Sequence, residues 1–589
     1  MKILGLAAYA KKPHDNAAAL VVDGGIAYAE LEERVSRKKH DGNFPVKVIE
    51  RALERENLSK RDIGWVGVPA YSLKIGKWVA ETGCGGELLK GLASLFLASP
   101  GYVLSFGVKW VGNWLSYGGK VGQNAKDYLE IAEKRMVVMD HHLAHAASSF
   151  YLRETDNKCL VVVLDGWGED RTGVPWSGAV YEGRKGKLKL LERLPALASI
   201  GAAYSVVTRA LGFKVGDGEG KTMGLAAYGN AEKCKDKVGG LFPVFEEGKW
   251  KAADKFIWLS FFTEDKQVFF RTPAGREYGR VLKDYKREDV AAAAQEILEE
   301  RLLVYFKYLV KKYRVRRFAG SGGVFLNVKM TKRIQEEIKP EELFIPMAPN
   351  DPGLALGAAL VVAAKKGEKI RIDFPQSAAL GKEWDETEML SALKDFGDKL
   401  VFGKEKDVAS KVVERLLAHK VVGIFQGRAE FGPRALGNRS VLCDPRDRKA
   451  RDFINKNMKN REWFMPFAPS VLKNESKGYF EGDFSSPYMD KVVAVKTGAR
   501  DKLVAAIHVD GTARPQQVEK KNNLLYWQIL KGFYDKTGVA GVLNTSFNNH
   551  GLPIVDTPKD AVEHLLWGCI DELFMGSFWV RRKGQRATR

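Results

Sequence analysis

Apolar runs that end in glycine or in charged residues recur through the first half of the chain. Leu160–Leu164 is a continuous apolar run typical of a buried strand, and Phe318–Gly323 passes from a strand pattern into glycines. Val290–Tyr313 carries apolar residues at helical spacing, and Leu354–Ala364 is an alanine-rich helix pattern. This alternation predicts an α/β domain with ligand sites at the strand ends.

A charged, proline-containing stretch near Ile370–Pro375 interrupts the pattern, and a second α/β region follows from about Lys382. Since 589 residues exceed one ordinary core, we expect two domains, residues 1–372 and 373–589. The N-terminal segment is short and apolar and then basic, whereas a signal peptide has its charge first and its cleavage site later. We expect a first strand there, continued by a hairpin through Val21–Asp23 and Ile26–Glu30.

Composition narrows the class of protein. No charge-free apolar run is long enough to span a bilayer, so we expect no membrane contact. The five cysteines are widely scattered, which is typical of a cytoplasmic protein without structural zinc.

The net charge of +21 favours a polyanionic partner. Between Arg301 and Arg333 the chain carries ten cations and no acid. This run indicates either contact with nucleic acid or a solvated basic surface.

A histidine pair is the first candidate site. His141 and His145 stand four residues apart, so a helix would place both imidazoles on one face. Asp165 follows a predicted strand, and Asp351 precedes a predicted helix. Two histidines with carboxylates suit iron(II), manganese or zinc, although such a pair is also common as a structural feature.

Glycine-rich segments are the second candidate. Gly216–Gly229 contains Glu219 and Lys221, which could meet phosphate and magnesium or ribose, or else lie in a surface loop. The turn at Gly322 and Gly323 predicts a nucleotide cradle. In the N-terminal region, His14 could act as a general base or be structural.

The segment Arg428–Arg439 is the third candidate, because glycines and three arginines follow an apolar strand pattern. Arginine matches phosphorylated anions, and glycine allows a backbone to approach a ligand. Together with cations farther along the chain it predicts an anion pocket, unless these residues never converge. The residues of this predicted pocket are Arg434, Arg439, Lys459, Arg461, Arg514, Asn544, Thr545 and Ser546.

Ordered motifs along nearly the whole chain resemble the O-carbamoyltransferase family that includes nodulation protein NodU and tobramycin carbamoyltransferase. The matching pieces include HDNAAALV, DHHLAHAASSF, LDGWGE, GEGKTMGLAAYG, GGVFLN, DPGLALGAAL, EFGPRALGNRS, NREWFMPFAPS, HVDGTARPQ and LNTSFNNHGLPIV. The resemblance implies an actin-like (ASKHA) N-terminal domain followed by a YrdC-like α/β domain. It also implies a two-step reaction, in which carbamoyl phosphate and ATP give carbamoyl adenylate and pyrophosphate before an acceptor hydroxyl takes the carbamoyl group and AMP leaves.

The resemblance also implies roles for individual residues. Carbamoyl phosphate would be held by Arg434, Lys459, Arg514 and Ser546, with Arg439 and Asn544 expected beside them. An iron site maps onto His141, His145, Asp165 and Asp351, and magnesium would accompany ATP. His14 maps onto the base that takes the acceptor's proton, and Lys39 onto a cation that neutralises the leaving AMP. Contacts with ATP or the adenylate are expected from Glu219, Lys221, Gly322, Gly323, Asn327 and Asn350.

The acceptor is the open question. The positive charge favours a hydroxymethylated pyrimidine, such as hydroxymethylcytosine, in DNA. A small natural product, a nucleoside or a glycan is the alternative, and a non-catalytic nucleotide- and nucleic-acid-binding protein is a third. Tyr71–Lys126 is a candidate acceptor-binding insertion. A cytoplasmic location is expected, with a homodimer as one possible assembly.

Overall fold

The computed structural model describes residues 1–8, 15–70, 74, 77, 80–81, 124–253, 257–263, 265–372 and 377–584. His14 and most of the predicted insertion Tyr71–Lys126 lie outside these residues. Within them the chain forms two compact units. The first comprises residues 1–25, 42–45 and 53–372, and the second comprises residues 26–41, 46–52 and 373–589.

Two sheets form the centre of the first unit, and they repeat one pattern. In the first sheet the order includes β2-β1-β4-β5, and in the second it is β8-β7-β6-β11-β12. The first twelve strands are β1 Lys2–Ala7, β2 Ala17–Val22, β3 Gly25–Leu31, β4 Trp65–Pro69, β5 Met136–Met139, β6 Cys159–Glu169, β7 Pro175–Arg184, β8 Lys187–Pro195, β9 Val244–Glu246, β10 Lys249–Lys251, β11 Arg317–Ser321 and β12 Glu342–Phe344. Most residues of β3 belong to the second unit.

Each sheet has a central strand, β1 or β6, with an antiparallel neighbour on one side and two parallel strands on the other. The α/β class predicted from the sequence is therefore confirmed. The duplicated strand pattern also agrees with the expected actin-like N-terminal part.

Helices in the first unit cover the sheets, and the predicted helices at 290–313 and 354–364 are among them. In the described part of residues 1–372 the helices include Glu32–Ser36, Val46–Arg55, His141–Phe150, Ile200–Ala210, Glu219–Leu225, Lys235–Gly239, Ile257–Phe262, Lys266–Phe269, Pro273–Asp284, Arg287–Tyr313, Val328–Ile338 and Gly353–Lys365.

An eight-stranded sheet organises the second unit, in the order β13-β22-β21-β14-β15-β20-β16-β19. The strands are β13 Leu400–Lys404, β14 Val422–Phe425, β15 Arg439–Cys443, β16 Ala468–Leu472, β17 Val493–Ala494, β18 Thr512–Ala513, β19 Gln516–Val518, β20 Gly541–Ser546, β21 Glu572–Met575 and β22 Phe578–Arg582. The helices are Glu386–Asp395, Val408–Leu417, Arg448–Ile454, Leu524–Thr537 and Pro558–Leu566, with a π-helical turn at Asn455–Lys459. Its YrdC-like character stays a prediction.

Buried polar contacts explain why residues 26–41 and 46–52 belong to the second unit. Arg51 makes two hydrogen bonds to the buried Asp556 carboxylate, at 2.9 and 2.8 Å. Arg34 donates to the Gly432 carbonyl at 2.8 Å, and Arg37 donates to the Ile554 carbonyl at 2.6 Å. These bonds give hydrogen-bond partners to guanidinium groups that are largely removed from water, which offsets part of their desolvation cost.

Candidate active site

The structure brings the predicted metal ligands together in the first unit. His141 and His145 lie one turn apart on one helix, while Asp165 lies in β6 and Asp351 just before helix Gly353–Lys365. The His145 Nε2 atom lies 3.3 Å from Asp165 Oδ2 and 3.4 Å from Asp351 Oδ1. One ligand atom from each of the four residues lies within 4.8 Å of the others, so they could share one metal ion.

A β-bulge aims Asp165 into this cluster. The register between β6 and β7 shifts between Leu164 and Gly168, so the three residues between them leave the regular ladder. Gly168 then packs directly under His141, because a Cβ atom there would lie 2.5 Å from the imidazole Cδ2. Bulges commonly redirect a side chain beside a functional site.

The electrostatics of the cluster fit a cation. Burial alone would lower the pKa of His145, but the carboxylates of Asp165 and Asp351 raise it to about 9. The histidines in turn hold the pKa of Asp165 well below its usual range, against the effect of burial. Two imidazoles and two carboxylates are a donor set that suits iron(II), manganese or zinc, so the residues fit the expected metal.

Two further residues border the cluster, and neither was among the predicted metal ligands. The Ser321 hydroxyl lies 3.5 Å from His145 Nδ1 and donates to the Pro349 carbonyl, which helps to orient the imidazole. The Glu169 carboxylate accepts from Trp167 Nε1 at 3.0 Å, and burial raises its pKa. Glu169 ends β6 within the motif LDGWGE, and Ser321 ends β11 directly before the motif GGVFLN, which is the signal that could have identified them.

The residues predicted to contact nucleotide are differently placed. Asn327 caps helix Val328–Ile338 by accepting from Met330 N, and its amide pairs with that of Gln295. Glu219 accepts from Ser205 Oγ and from Gly216 N, and Lys221 lies beside the Phe213 ring. Their contact with a nucleotide stays a prediction.

Three other residues that were predicted to contact the nucleotide lie close to the metal ligands. Gly322 has a φ of +92°, which favours glycine, and its N–H donates to the Pro349 carbonyl. Gly323 N lies 3.4 Å from Asp165 Oδ1, and Asn350, next to Asp351, has a buried Oδ1 that no described residue hydrogen-bonds. A ligand at the cluster would therefore meet this turn.

The second unit contains a group of cations that we call the cation pocket, and it comprises Arg434, Lys459, Arg461 and Arg514. Burial, together with repulsion from Arg434 and Arg461, holds the pKa of Arg514 well below its usual range. Burial also lowers the pKa of Arg434 to about 10. In the described part of the chain, the Arg434 and Arg514 side chains make no hydrogen bond or ion pair, so an anion could bind both.

Lys459 joins this pocket to the loop after β20. Its Nζ donates to Ser546 Oγ at 2.9 Å and to Asn548 Oδ1 at 2.8 Å, and also to the carbonyls of both residues. Burial, with repulsion from Arg461 and Lys39, lowers the pKa of Lys459 well below its usual range. Lys39, expected to neutralise AMP, is thus a member of the second unit.

Arg439 and Asn544 hold the protein backbone. Arg439 is fully buried, and its terminal nitrogens donate to the carbonyls of Gln426, Asn438, Lys382 and Gly427. Asn544 donates to the Ala435 carbonyl at 3.1 Å and to Ser470 Oγ at 3.0 Å. Both are therefore less suited to a direct ligand contact than Arg434 and Arg514.

Half of the ten cations in the basic run Arg301–Arg333 pair with acids that lie outside the run. Lys312 lies 2.8 Å from Glu192, and Lys332 lies 2.8 Å from Glu336. Lys307, Arg317 and Arg333 pair with further acids between Glu299 and Glu341. The run therefore presents less charge to a polyanion than its composition indicates.

The described helices include none that is long and apolar enough to cross a bilayer. The four described cysteines are buried and form no disulfide bond with one another. The fold thus describes an α/β protein with a candidate metal-binding cluster in its first unit and a candidate anion pocket in its second.

Comparison with known proteins identifies the family. Residues 2–360 match the carbamoyltransferase N-terminus model, and residues 413–582 match the carbamoyltransferase C-terminus model. The chain therefore belongs to the carbamoyltransferase family, which confirms the resemblance and the prediction of a carbamoyl-transferring enzyme.

Individual relatives span most of the chain. The nodulation protein NolNO of Sinorhizobium fredii is 32% identical over 97% of this chain and 79% of its own length. Nodulation protein U of the same organism is 23% identical over the full length of both chains. An uncharacterized protein of Methanocaldococcus jannaschii is 35% identical over 78% of this chain and 76% of its own length. Among solved structures, full-length HypF aligns with 63% of this chain and 56% of its own at a TM-score of 0.34 and 15% identity.

Proposed function

We propose that the protein is an ATP-dependent O-carbamoyltransferase that works in two steps. In the first step, water releases phosphate from carbamoyl phosphate, and the resulting carbamate oxygen attacks the α-phosphorus of ATP. Carbamoyl adenylate forms and pyrophosphate leaves. In the second step, an acceptor hydroxyl attacks the carbamoyl carbon, its proton goes to a base, for which His14 is proposed, and AMP leaves.

The cation pocket is the observation that carries this proposal. Arg434 and Arg514 repel each other and have no carboxylate bound to them among the described residues. A phosphorylated substrate would replace this repulsion by charge-assisted hydrogen bonds, and the same cations would stabilise charge developing on the phosphates. Lys459 and Ser546 would complete the carbamoyl phosphate contacts, and Arg439 and Asn544 would support them from behind.

The metal cluster supports the second step. His141, His145, Asp165 and Asp351 would hold a divalent cation, with iron(II) proposed, which would supply positive charge to the adenylate phosphate. The turn at Gly322 and Gly323, with Asn350, would bind beside that phosphate. Glu219, Lys221 and Asn327 would contact the rest of the nucleotide, and Mg²⁺ would accompany ATP.

The first step can be tested by pyrophosphate exchange into ATP. Exchange should require carbamoyl phosphate, and R514M should abolish it. R280M is the matched control, because Arg280 is an exposed helix residue that pairs only with its neighbour Glu277 among the described residues. Exchange that does not depend on carbamoyl phosphate, or that survives in R514M, would contradict the proposal, and a non-catalytic nucleotide-binding protein would show no exchange.

The proposed acceptor is a hydroxymethylated pyrimidine in DNA, and its support is the net charge of +21. The ion pairs along Arg301–Arg333 weaken that support, so a small natural product, nucleoside or glycan is the competing acceptor. Mass spectrometry after incubation with hydroxymethylcytosine DNA and with free sugars distinguishes them. Activity on DNA should fall steeply with added salt, whereas a neutral acceptor should show little dependence. The homodimer and the cytoplasmic location stay predictions.

A further inference from the structure

The loop that carries Arg434 lies between β14 and β15 and is held by one buried carboxylate. Glu430 is 3% exposed. A single oxygen, Oε1, accepts from Leu436 N at 2.8 Å, Asn438 N at 2.7 Å and Arg439 N at 3.1 Å. Three backbone N–H groups converging on one carboxylate oxygen form a charge-assisted arrangement that fixes the path of the chain.

Buried side chains hold the carbonyls of the same loop from other directions. Arg34 donates to the Gly432 carbonyl at 2.8 Å, and Asn544 to the Ala435 carbonyl at 3.1 Å. Gln516 and Gln426 donate to the carbonyls of Leu436 and Gly437, each at 2.9 Å. The backbone on both sides of Arg434 is therefore fixed, although residues 426–438 form neither helix nor strand.

The residue that holds this loop carries a carboxylate, although an amide such as glutamine could have filled the same space. Burying a carboxylate is costly unless it is paired and hydrogen-bonded. Arg439, also fully buried, lies close enough for Glu430 to raise its pKa against the effect of burial. The Glu430 carboxylate thus holds the loop's N–H groups and also favours the charge on the guanidinium at the start of β15, which a neutral side chain would not do.

We propose that Glu430 is a positioning residue, whose three backbone contacts hold Arg434 in the orientation that binds the phosphorylated substrate. The inference rests on the proposed function, because it assigns to Glu430 the affinity of the cation pocket for carbamoyl phosphate. Glu430 itself need not touch the substrate.

The test compares E430Q with D571N. Asp571 is a matched control, because its buried carboxylate also accepts from a backbone N–H, but from that of Val421 at 2.8 Å, just before β14, rather than from the Arg434 loop. Pyrophosphate exchange gives the KM for each substrate, and thermal unfolding gives the stability. E430Q should raise the KM for carbamoyl phosphate about tenfold or more and change the KM for ATP less than about threefold. D571N should lower the unfolding temperature but should not raise the KM for carbamoyl phosphate more than the KM for ATP.

An unchanged KM for carbamoyl phosphate in E430Q, or an equal rise for both substrates, would overturn the proposal. E430D keeps the carboxylate but on a shorter side chain. It should therefore raise the KM for carbamoyl phosphate less than E430Q does, and again change the KM for ATP little. If E430Q does not fold, E430D takes its place in the test. An unchanged KM for carbamoyl phosphate in E430D would also overturn the proposal. A wild-type protein without exchange would instead refute the proposed function, and with it this inference.

Discussion

Gly357 lies directly against the backbone of Ala144, because a Cβ atom on Gly357 would fall 1.8 Å from the Ala144 carbonyl oxygen. Ala144 lies on the helix that carries His141 and His145, and Gly357 lies on the helix that follows Asp351. The close contact between these two helices therefore sets the distance at which Asp351 meets the histidines.

The substitution G357A should separate the two helices and weaken the metal cluster. A methyl group at that distance from backbone cannot be accommodated without moving a helix, so we expect a loss of about 1–3 kcal/mol of stability and a loss of metal affinity. Isothermal titration with Fe²⁺ or Mn²⁺ and thermal unfolding would measure both effects.

G279A is the control for this prediction. Gly279 also lies inside a helix of the first unit, but a Cβ there would meet only the Phe270 ring at an ordinary 3.5 Å. It should change stability by less than about 1 kcal/mol and leave metal affinity intact. Equal metal affinity in G357A and the wild type would contradict the role given to this contact.

Metal binding should depend on His145 and not on its neighbour His142. The His145 imidazole faces both carboxylates at 3.3 and 3.4 Å, whereas the buried His142 lies outside the four-residue cluster. We therefore expect H145Q to reduce the bound metal per chain to background and H142Q to retain it, as measured by elemental analysis of purified protein. Metal retained in H145Q would show that the cluster is not the binding site.

The sequence predicted these ligands because two of them follow helical spacing and the others end or precede regular elements. Their convergence depends on the bulge in β6 and on the Gly357–Ala144 contact, which are tertiary features. Residue type also could not show that Arg439 and Asn544 donate to backbone carbonyls, because those carbonyls belong to a loop without a regular pattern.

The charge of a sequence segment predicted the charge of the folded surface less well than the apolar pattern predicted the helices and strands. Lys312 pairs with Glu192, which is 120 residues earlier in the sequence, so a run without acids is not a surface without acids. Likewise, the apolar pattern of residues 26–52 gives no sign that they pack with the second unit, because the bonds of Arg34 and Arg51 that hold them there are long-range polar contacts.

Removing a cation from the pocket should stabilise the ligand-free protein. Burial and repulsion from Arg434 and Arg461 disfavour the charge on Arg514, so R514M should raise the free energy of unfolding by about 0.5–2 kcal/mol. The same variant should lose the stabilisation that carbamoyl phosphate gives the wild type. Thermal unfolding with and without the ligand measures both effects, and a ligand-free R514M less stable than wild type would contradict this account.

The loop that contacts Lys459 should loosen in acid through His564. His564 Nε2 accepts from Asn549 N at 3.0 Å, and its Nδ1 lies 2.7 Å from the Asp560 carbonyl, so the neutral ring is the form that fits. Burial lowers the pKa of His564 to about 4, from about 6.5 in the unfolded chain. Between these values the unfolded chain binds more protons, so stability falls as the pH falls from about 6.5 to about 4, by ~3 kcal/mol at most.

The H564Q variant isolates this contribution. It should be less stable than wild type at pH 7, because it loses the ring's two contacts, but its stability should decline less between pH 6.5 and 4. Denaturant unfolding across this pH range measures the slopes. Parallel profiles for H564Q and the wild type would mean that His564 already titrates normally in the folded protein, and that acid does not act on the Lys459 loop through this ring.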